Sequence, residues 1–234
     1  MRADNFLFLQ KQQTLVSLNI VFGRYCFKMQ TVPDLQNVSG HCRQMKQEHL
    51  NIIPTLGILQ DKDVALASEL FVFKSFNKND CIVKPNANSR NIYFLLSGLV
   101  YAQNKDEKIN WYEFEGQSFA DIESVFFNKQ CDQYIRCAED SSVVSISKDN
   151  ILYLVKTNHK WAVWYALFLE EIIQRLYYYY KNLLVKDASQ RYSELIELHP
   201  EIIQRIPLGH IASYLGISQV SLSRIRAGRQ TKKS

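Results

Sequence analysis

The hydrophobic period of this chain changes for good at Ser147, and that change restricts the fold more than any other feature. Before it lie short runs rich in β-branched and aromatic residues: Phe71–Phe76, Cys81–Val83, Ile92–Leu96, Leu99–Tyr101, Ile109–Tyr112, Tyr134–Ile135 and Val143–Ile146. Turn-forming segments separate them, among them Asn77-Lys-Asn-Asp80, Pro85-Asn-Ala-Asn88 and Ser97-Gly98. Many short strands at regular spacing predict a barrel or sandwich. A short helix is predicted just upstream, over Asp61–Phe71, from the spacing of Val64, Ala67 and Leu70. After Ser147 the pattern is helical, so the chain reads as α+β with its strands and helices segregated.

The first helical stretch carries Ala162, Ala166, Leu169, Ile173, Leu176, Tyr180 and Leu183, spaced alternately four and three. That is a coiled-coil seam of about three heptads. Small residues at its start let two helices approach closely. A long amphipathic helix packed on its own domain shows a similar stripe; the length of the seam favours pairing with a second copy. In the run Tyr177–Tyr180, Tyr180 lies on the seam and the others surround the helix. Asp187 then caps a second helix, Ala188–Leu198, with Tyr192, Leu195 and Ile196 on one side, and His199-Pro200 ends it.

The last thirty or so residues carry the most specific pattern. Leu208–Leu215 reads as a helix with Ile211 and Leu215 facing inward, and Ala212 small enough for another helix to cross. Gly216 falls where positive φ is needed, Ile217 plugs the corner, and Ser218 offers an N-cap. Leu222 and Ile225 bury the next helix. These offsets together describe a helix-turn-helix; the alternative is a helical hairpin used only for packing. From Glu201 onward one acid stands against Arg205, Arg224, Arg226, Arg229, Lys232 and Lys233, an excess equal to the whole chain's net charge of +5. Such asymmetry indicates contact with a polyanion.

At about 100° per residue, Val220, Ser223, Arg224 and Ala227 lie opposite Leu222 and Ile225. Gln219 projects from the first turn, the end of a recognition helix that points at base edges. Arg224 can donate two bonds to guanine, Gln219 can pair with adenine, and Val220 can meet a thymine methyl. Ser218, Ser221, Arg226, Arg229, Lys232 and Lys233 are assigned to phosphates, with capping or solvation the stronger reading for Ser221.

Other chemistries find little support. Cys26, Cys42, Cys81, Cys131 and Cys137 are odd in number and scattered, which fits a reducing cytosol and offers neither a disulfide framework nor a zinc or iron–sulfur ligand set. The five histidines lack metal-protease spacing, and no cofactor is expected. Trp161–Leu169 is too short to span a bilayer and runs into Glu170-Glu171, so no membrane segment is expected and the protein is placed in the cytoplasm. Leu15–Phe22 is apolar but broken by Ser17 and Asn19, with no cleavage pattern after it. Residues 1 to about 44 have weak periodicity; they read as peripheral or as lying upstream of the natural start, with Met29 inside the stretch and Met45 just beyond it, the alternative being a real but irregular N-terminal arm. No nucleophile motif or phosphate loop stands out, and Asp121-Ile-Glu123 reads as ending a helical turn or solvated, so an enzyme is not expected.

A β-rich segment, a long dimer-type helix and a C-terminal helix-turn-helix, in this order, resemble the Crp/Fnr family of bacterial transcription regulators. The match is carried by Ile92-Tyr-Phe-Leu-Leu-Ser-Gly98, by Tyr134-Ile-Arg-Cys-Ala-Glu-Asp140, and by Ile211-Ala-Ser-Tyr-Leu-Gly-Ile-Ser218 with Leu222-Ser-Arg-Ile-Arg226. It covers roughly residues 48–230 and is nearest the branch found in Bacteroidetes, whose C-terminus is similarly short. The resemblance implies a cyclic-nucleotide-binding-type β-roll over 48–150, a dimerisation helix over 151–186 and a winged-type helix-turn-helix over 187–234, after an N-terminal extension over 1–47. It implies a homodimer on palindromic double-stranded DNA, RNA polymerase as a partner, and an unidentified small-molecule effector. The family's cassette for cyclic AMP has Gly-Glu and Arg-Ser-Ala; here these fall on Gly116-Gln117 and Cys131-Asp132-Gln133. A phosphate facing Asp132 without the arginine would be repelled, so weak or no cyclic AMP binding is expected, with a structural role for Arg136. Family members often have Glu where Val220 stands, which implies a different operator. The competing reading is a ligand-sensing or partner-binding β-roll that binds no operator.

Overall fold

The computed structural model describes residues 58–231; the expectations for 1–47 and for Lys232 and Lys233 lie outside them. Helix α1 (Asp61–Leu66) opens the described part, and a 3-10 turn over Ser68–Leu70 leads into the strands. The helix predicted through Phe71 therefore stops early, because Phe71 is already paired with Ile146 in a sheet.

The strands are β1 (Phe71–Phe76), β2 (Cys81–Val83), β3 (Asn91–Ser97), β4 (Val100–Gln103), β5 (Ile109–Glu113), β6 (Ser118–Phe119), β7 (Tyr134–Cys137) and β8 (Ser141–Ser147). Helix α2 (Ile122–Phe127) interrupts them after β6. They form two antiparallel sheets, ordered β1-β8-β3-β6 and β2-β7-β4-β5. Alternation along each strand sends Leu95, Val100, Ile135, Cys137 and Val143 between the sheets. Tyr93 stacks on Phe119 there at 5.0 Å, with Trp111 6.2 Å from Phe119. Gly98 turns β3 into β4 at φ +94°, and a Cβ there would lie 2.3 Å from Ser141 Oγ.

Helix α3 (Lys148–Thr157) and helix α4 (His159–Val185) follow. The segment read as one dimerisation helix over 151–186 is thus divided at Asn158, whose extended backbone and side chain cap α4 by accepting the Lys160 N–H at 2.9 Å. Trp161, Trp164 and Phe168 then lie on one side of α4, buried against Phe71, Phe94 and Ile146 of the first sheet. Trp164 stacks on Phe168 at 5.1 Å.

Helices α5 (Ala188–Leu198), α6 (Ile202–Arg205), α7 (Leu208–Leu215) and α8 (Gln219–Thr231) complete the described chain. Among the described residues no strand lies beyond Ser147, so the strands that a winged-type arrangement implies are not found beside these helices there. Their apolar residues gather at the outer face of the second sheet. Val100 faces inward, so its neighbour Tyr101 faces outward. With Leu99, Ile109, Tyr112 and Phe114 it shares a core with Tyr192, Ile202, Ile206, Ile211, Leu215 and Leu222.

Candidate nucleic-acid interface

The junction between α7 and α8 is built by local hydrogen bonding. Gly216 ends α7 in the left-handed region at φ 69°. Its N–H donates to the Ser213 carbonyl and the Ile217 N–H to the Ala212 carbonyl, both at 3.0 Å. These paired bonds satisfy carbonyls that a helix end leaves free. Ser218 Oγ accepts the Ser221 N–H at 3.1 Å and lies 3.0 Å from Ser221 Oγ, so both hydroxyls serve the start of α8. Arg191 of α5 adds a bond from Nη2 to the Leu215 carbonyl at 2.8 Å.

Burial divides α8 as the spacing predicts. Leu222 is 1% exposed and packs with Ile211 and Leu215, and half-buried Ile225 packs beside it. Gln219, Val220, Ser223, Arg224 and Ala227 are exposed; Val220 is 62% exposed. Of the predicted site residues, the structure brings Gln219, Val220, Ser223 and Arg224 to the open side. Ser218 is exposed but engaged as a cap, and Ser221 and Arg226 are half-buried. The side chains of Arg229, Lys232 and Lys233 fall outside the described part. Gly209 carries no mark in the sequence pattern. A Cβ on it would lie 2.3 Å from Gln219 Nε2, so this glycine leaves room for the Gln219 amide.

Charge counting places Arg205 with the other cations of the C-terminal segment. In the structure its guanidinium is instead bound by Glu115 and Glu139 of the roll. Burial opposes its charge, but these two carboxylates outweigh that and raise its pKa.

The segment that the family resemblance marks as an effector cassette is closed on itself. Gly116 sits at φ +83° and Gln117 Oε1 accepts the Phe114 N–H at 3.0 Å. Asp121 is 1% exposed and caps α2, Oδ1 accepting the Ser124 N–H at 2.8 Å. Its Oδ2 accepts from Cys131 Sγ at 3.0 Å and Gln133 Nε2 at 3.3 Å. Burial, with the bond to Asp121, pushes the Cys131 thiol up to about 12. Asp121 is thus the N-cap that starts α2, not the end of a helical turn that the sequence predicts, and it is buried rather than solvated. Ile135 points inward, which turns Arg136 outward; its guanidinium lies 4.6 Å from the Tyr134 ring.

On α4, Ile173, Leu176, Tyr177, Tyr180 and Leu183 are exposed by 44–65%. They lie away from the tryptophan side that meets the roll. Tyr178 donates to Glu194 of α5 and Tyr179 to the Asn110 carbonyl at 2.9 Å, so these two serve the chain itself. Among the described residues no helix is long and apolar enough to cross a membrane, and no group of three metal-ligating side chains comes together.

Residues 73–158 match the sequence profile of the cyclic nucleotide-binding domain. A search of curated proteins returns no match. Among solved structures, the c-di-GMP responsive global regulator CLP of Xanthomonas campestris superposes with a TM-score of 0.58 at 12% identity, over 74% of this chain and 93% of that one. FixK2 from Bradyrhizobium japonicum gives 0.54 at 17% identity, over 69% and 85%. The chain spans 44% of the length of cAMP-bound PfPKA-R (141-441), and the match covers 59% of this chain at 19% identity and a TM-score of 0.44. The roll is thus a cyclic-nucleotide-binding-type domain, and regulators of the Crp/Fnr kind are its structural neighbours.

Proposed function

We propose that this chain is a sequence-specific DNA-binding transcription regulator that works as a homodimer in the cytoplasm. The observation that carries the reading is the division of α8. Leu222 is buried against α7, while Gln219, Val220, Ser223 and Arg224 form an open face. A helix held in this way can enter the major groove and present its first turns to base edges. Arg224 then reads guanine, Gln219 reads adenine, and Val220 meets a thymine methyl. Arg226, Arg229, Lys232 and Lys233 hold phosphates, with Ser218 and Ser221 at the cap contributing at most the one hydroxyl hydrogen that their mutual bond leaves to donate. The global regulator CLP, whose fold superposes on this chain, supports the reading.

The exposed stripe on α4 is the face that pairs with a second copy. Ile173, Leu176, Tyr180 and Leu183 keep the four-three spacing of a two-stranded seam. A two-fold pair presents two recognition helices, so the operator is palindromic. The division into a roll over 48–150, a dimerisation segment over 151–186 and a DNA-binding unit over 187–234 goes with this arrangement, as does RNA polymerase as a partner.

The roll binds cyclic AMP weakly or not at all. The place of a cassette arginine is taken by buried Cys131, and its neighbour across the loop is a buried carboxylate, Asp121. An incoming phosphate would meet negative charge without a compensating cation. The roll acts as a scaffold or takes another small molecule.

The test is selection of bound DNA from a random pool, followed by binding to the selected sequence at several salt concentrations. A two-fold symmetric site bound with a steep salt dependence is expected. Recovery of no enriched sequence would refute the reading and favour a partner-binding roll.

A further inference from the structure

Arg205 makes the most highly directed contact between the helical unit and the roll. Its Nη2 and Nη1 take both oxygens of Glu115, and its Nη2 and Nε take both oxygens of Glu139. The Nη1 and Nε bonds are each 3.2 Å. The acceptors stand on rigid turns. Glu115 also accepts the Gly98 N–H at 3.2 Å, and Gly98 has no room for a Cβ. Glu139 lies between β7 and β8. The donor ends α6, which passes through Ile206 and Pro207 directly into α7. Beside it, His199 stacks on Phe114 at 3.5 Å.

The rest of this contact is mostly apolar, with a backbone hydrogen bond beside its ring contacts. Tyr101 meets His210 edge-on at 5.3 Å, Tyr112 meets Tyr214 at 5.5 Å, and the Ile109 N–H donates to Ser213 Oγ at 3.0 Å. Apolar burial holds surfaces together but has little direction, so rings can slide over one another. A guanidinium forked to two carboxylates fixes angle as well as distance. Helix α8 follows α7 as a unit through Leu222, Ile211 and Leu215.

We infer that Arg205 is a positioning residue for DNA recognition: by locking α6 to Glu115 and Glu139 it sets the separation and rotational phase of the two recognition helices, and so the half-site spacing that the dimer accepts. This rests on the reading of a dimeric DNA-binding chain. Inserting one base pair between half-sites moves them apart by about 3.4 Å and rotates them by about 35°, which a locked dimer cannot follow.

The experiment uses the full chain and its selected palindrome, with the central spacer lengthened or shortened one base pair at a time. The wild type is expected to lose about tenfold or more in affinity per step. Arg205→Gln is expected to reduce that loss to about threefold or less, with base preference inside each half-site unchanged. Arg205→Lys keeps the charge but not the fork, and is expected to behave like Arg205→Gln. A Lys variant that restores the wild-type spacing profile would overturn the inference, as would an Arg205→Gln profile identical to wild type. Loss of half-site base preference together with spacing would also overturn it, by putting the defect in α8 itself. If Arg205→Gln does not fold, Glu139→Gln, which removes one fork of the two, decides by the same profile. A wild-type chain that binds no two-fold site sinks the underlying functional reading instead, so the two failures are distinguishable.

Discussion

Replacing Leu222 by alanine tests the orientation on which the DNA-binding face depends. The side chain is 1% exposed and packs with Ile211, Ala212, Leu215 and half-buried Ile225. Removing a buried leucine beyond Cβ costs about 2–5 kcal/mol, the spread reflecting how far the site collapses. Helix α8 can relax toward α7, so the lower half of that range, about 2–3 kcal/mol, is expected here. In a domain of this size 1 kcal/mol moves Tm by about 2–4 °C, so a fall of about 4–12 °C should be measured by calorimetry. Val220→Ala, two residues away on the exposed side, should change stability by less than about 0.5 kcal/mol. On DNA the two should behave in opposite ways. Leu222→Ala should weaken binding on every sequence by loosening the helix, while Val220→Ala should alter preference at one base pair per half-site. Equal melting shifts, or a larger shift for Val220→Ala, would refute the orientation and the recognition face with it.

Arg224→Ala should cost about 1–3 kcal/mol on the selected site and relax preference at one base pair per half-site; an equal loss on all sequences would contradict base readout. Ile173→Asp, on an exposed position of α4, should convert the proposed dimer to monomer in sedimentation and lower Tm by the stability that pairing adds, because a carboxylate in a two-stranded seam loses its hydration; an undisturbed dimer would reject that seam. Glu113→Gln should alter the pH dependence of stability. Burial pushes the Glu113 carboxyl up to about 7, against the pull of Arg175. Its folded pKa is thus above the unfolded one, so the stability present at low pH is lost as pH rises through about 7. Relative to wild type, the variant's Tm should rise between pH 5 and pH 8; a flat difference would contradict this.

The elements that can be read from sequence are those whose information is local. Strands β3 and β8 show their hydrophobic runs directly, and Gly216 and Ser218 announce the corner between α7 and α8 because both act within a few residues. Ser118–Phe119 escapes because two residues carry no period, and Ile202–Arg205 because one turn is too short to show a stripe. The break at Asn158 is written in the sequence as an asparagine N-cap, but Trp161, Trp164 and Phe168 keep the helical spacing on its far side and mask the end of α3. The division of α4 into a tryptophan side and an open side is legible only in part: the four-three spacing reveals a stripe, yet a stripe does not say which of two faces meets the roll.

Arg205 shows where sequence reasoning stops. Counted by position, it joins five other cations in a basic C-terminal segment that looks uniformly suited to phosphates. Its hydrogen-bond partners are 90 and 66 residues away; only the looser contact with Glu201, at 3.8 Å, is local, and nothing at short range marks Glu115 or Glu139 as acceptors. Once the sheet brings them together, their charges neutralise the guanidinium, and the local excess of cations belongs to α8 and the C-terminal residues after it. That redistribution alters the electrostatic argument. A polyanion attracted to the helical unit is steered toward Arg224 and Arg226, which remain outside this clamp, and away from the seam where α6 meets the roll. On the proposed DNA-binding reading, the ion cluster that removes one cation from the DNA-facing charge also holds the remaining ones at a fixed place on the roll, which assigns affinity and geometry to different residues of one basic segment.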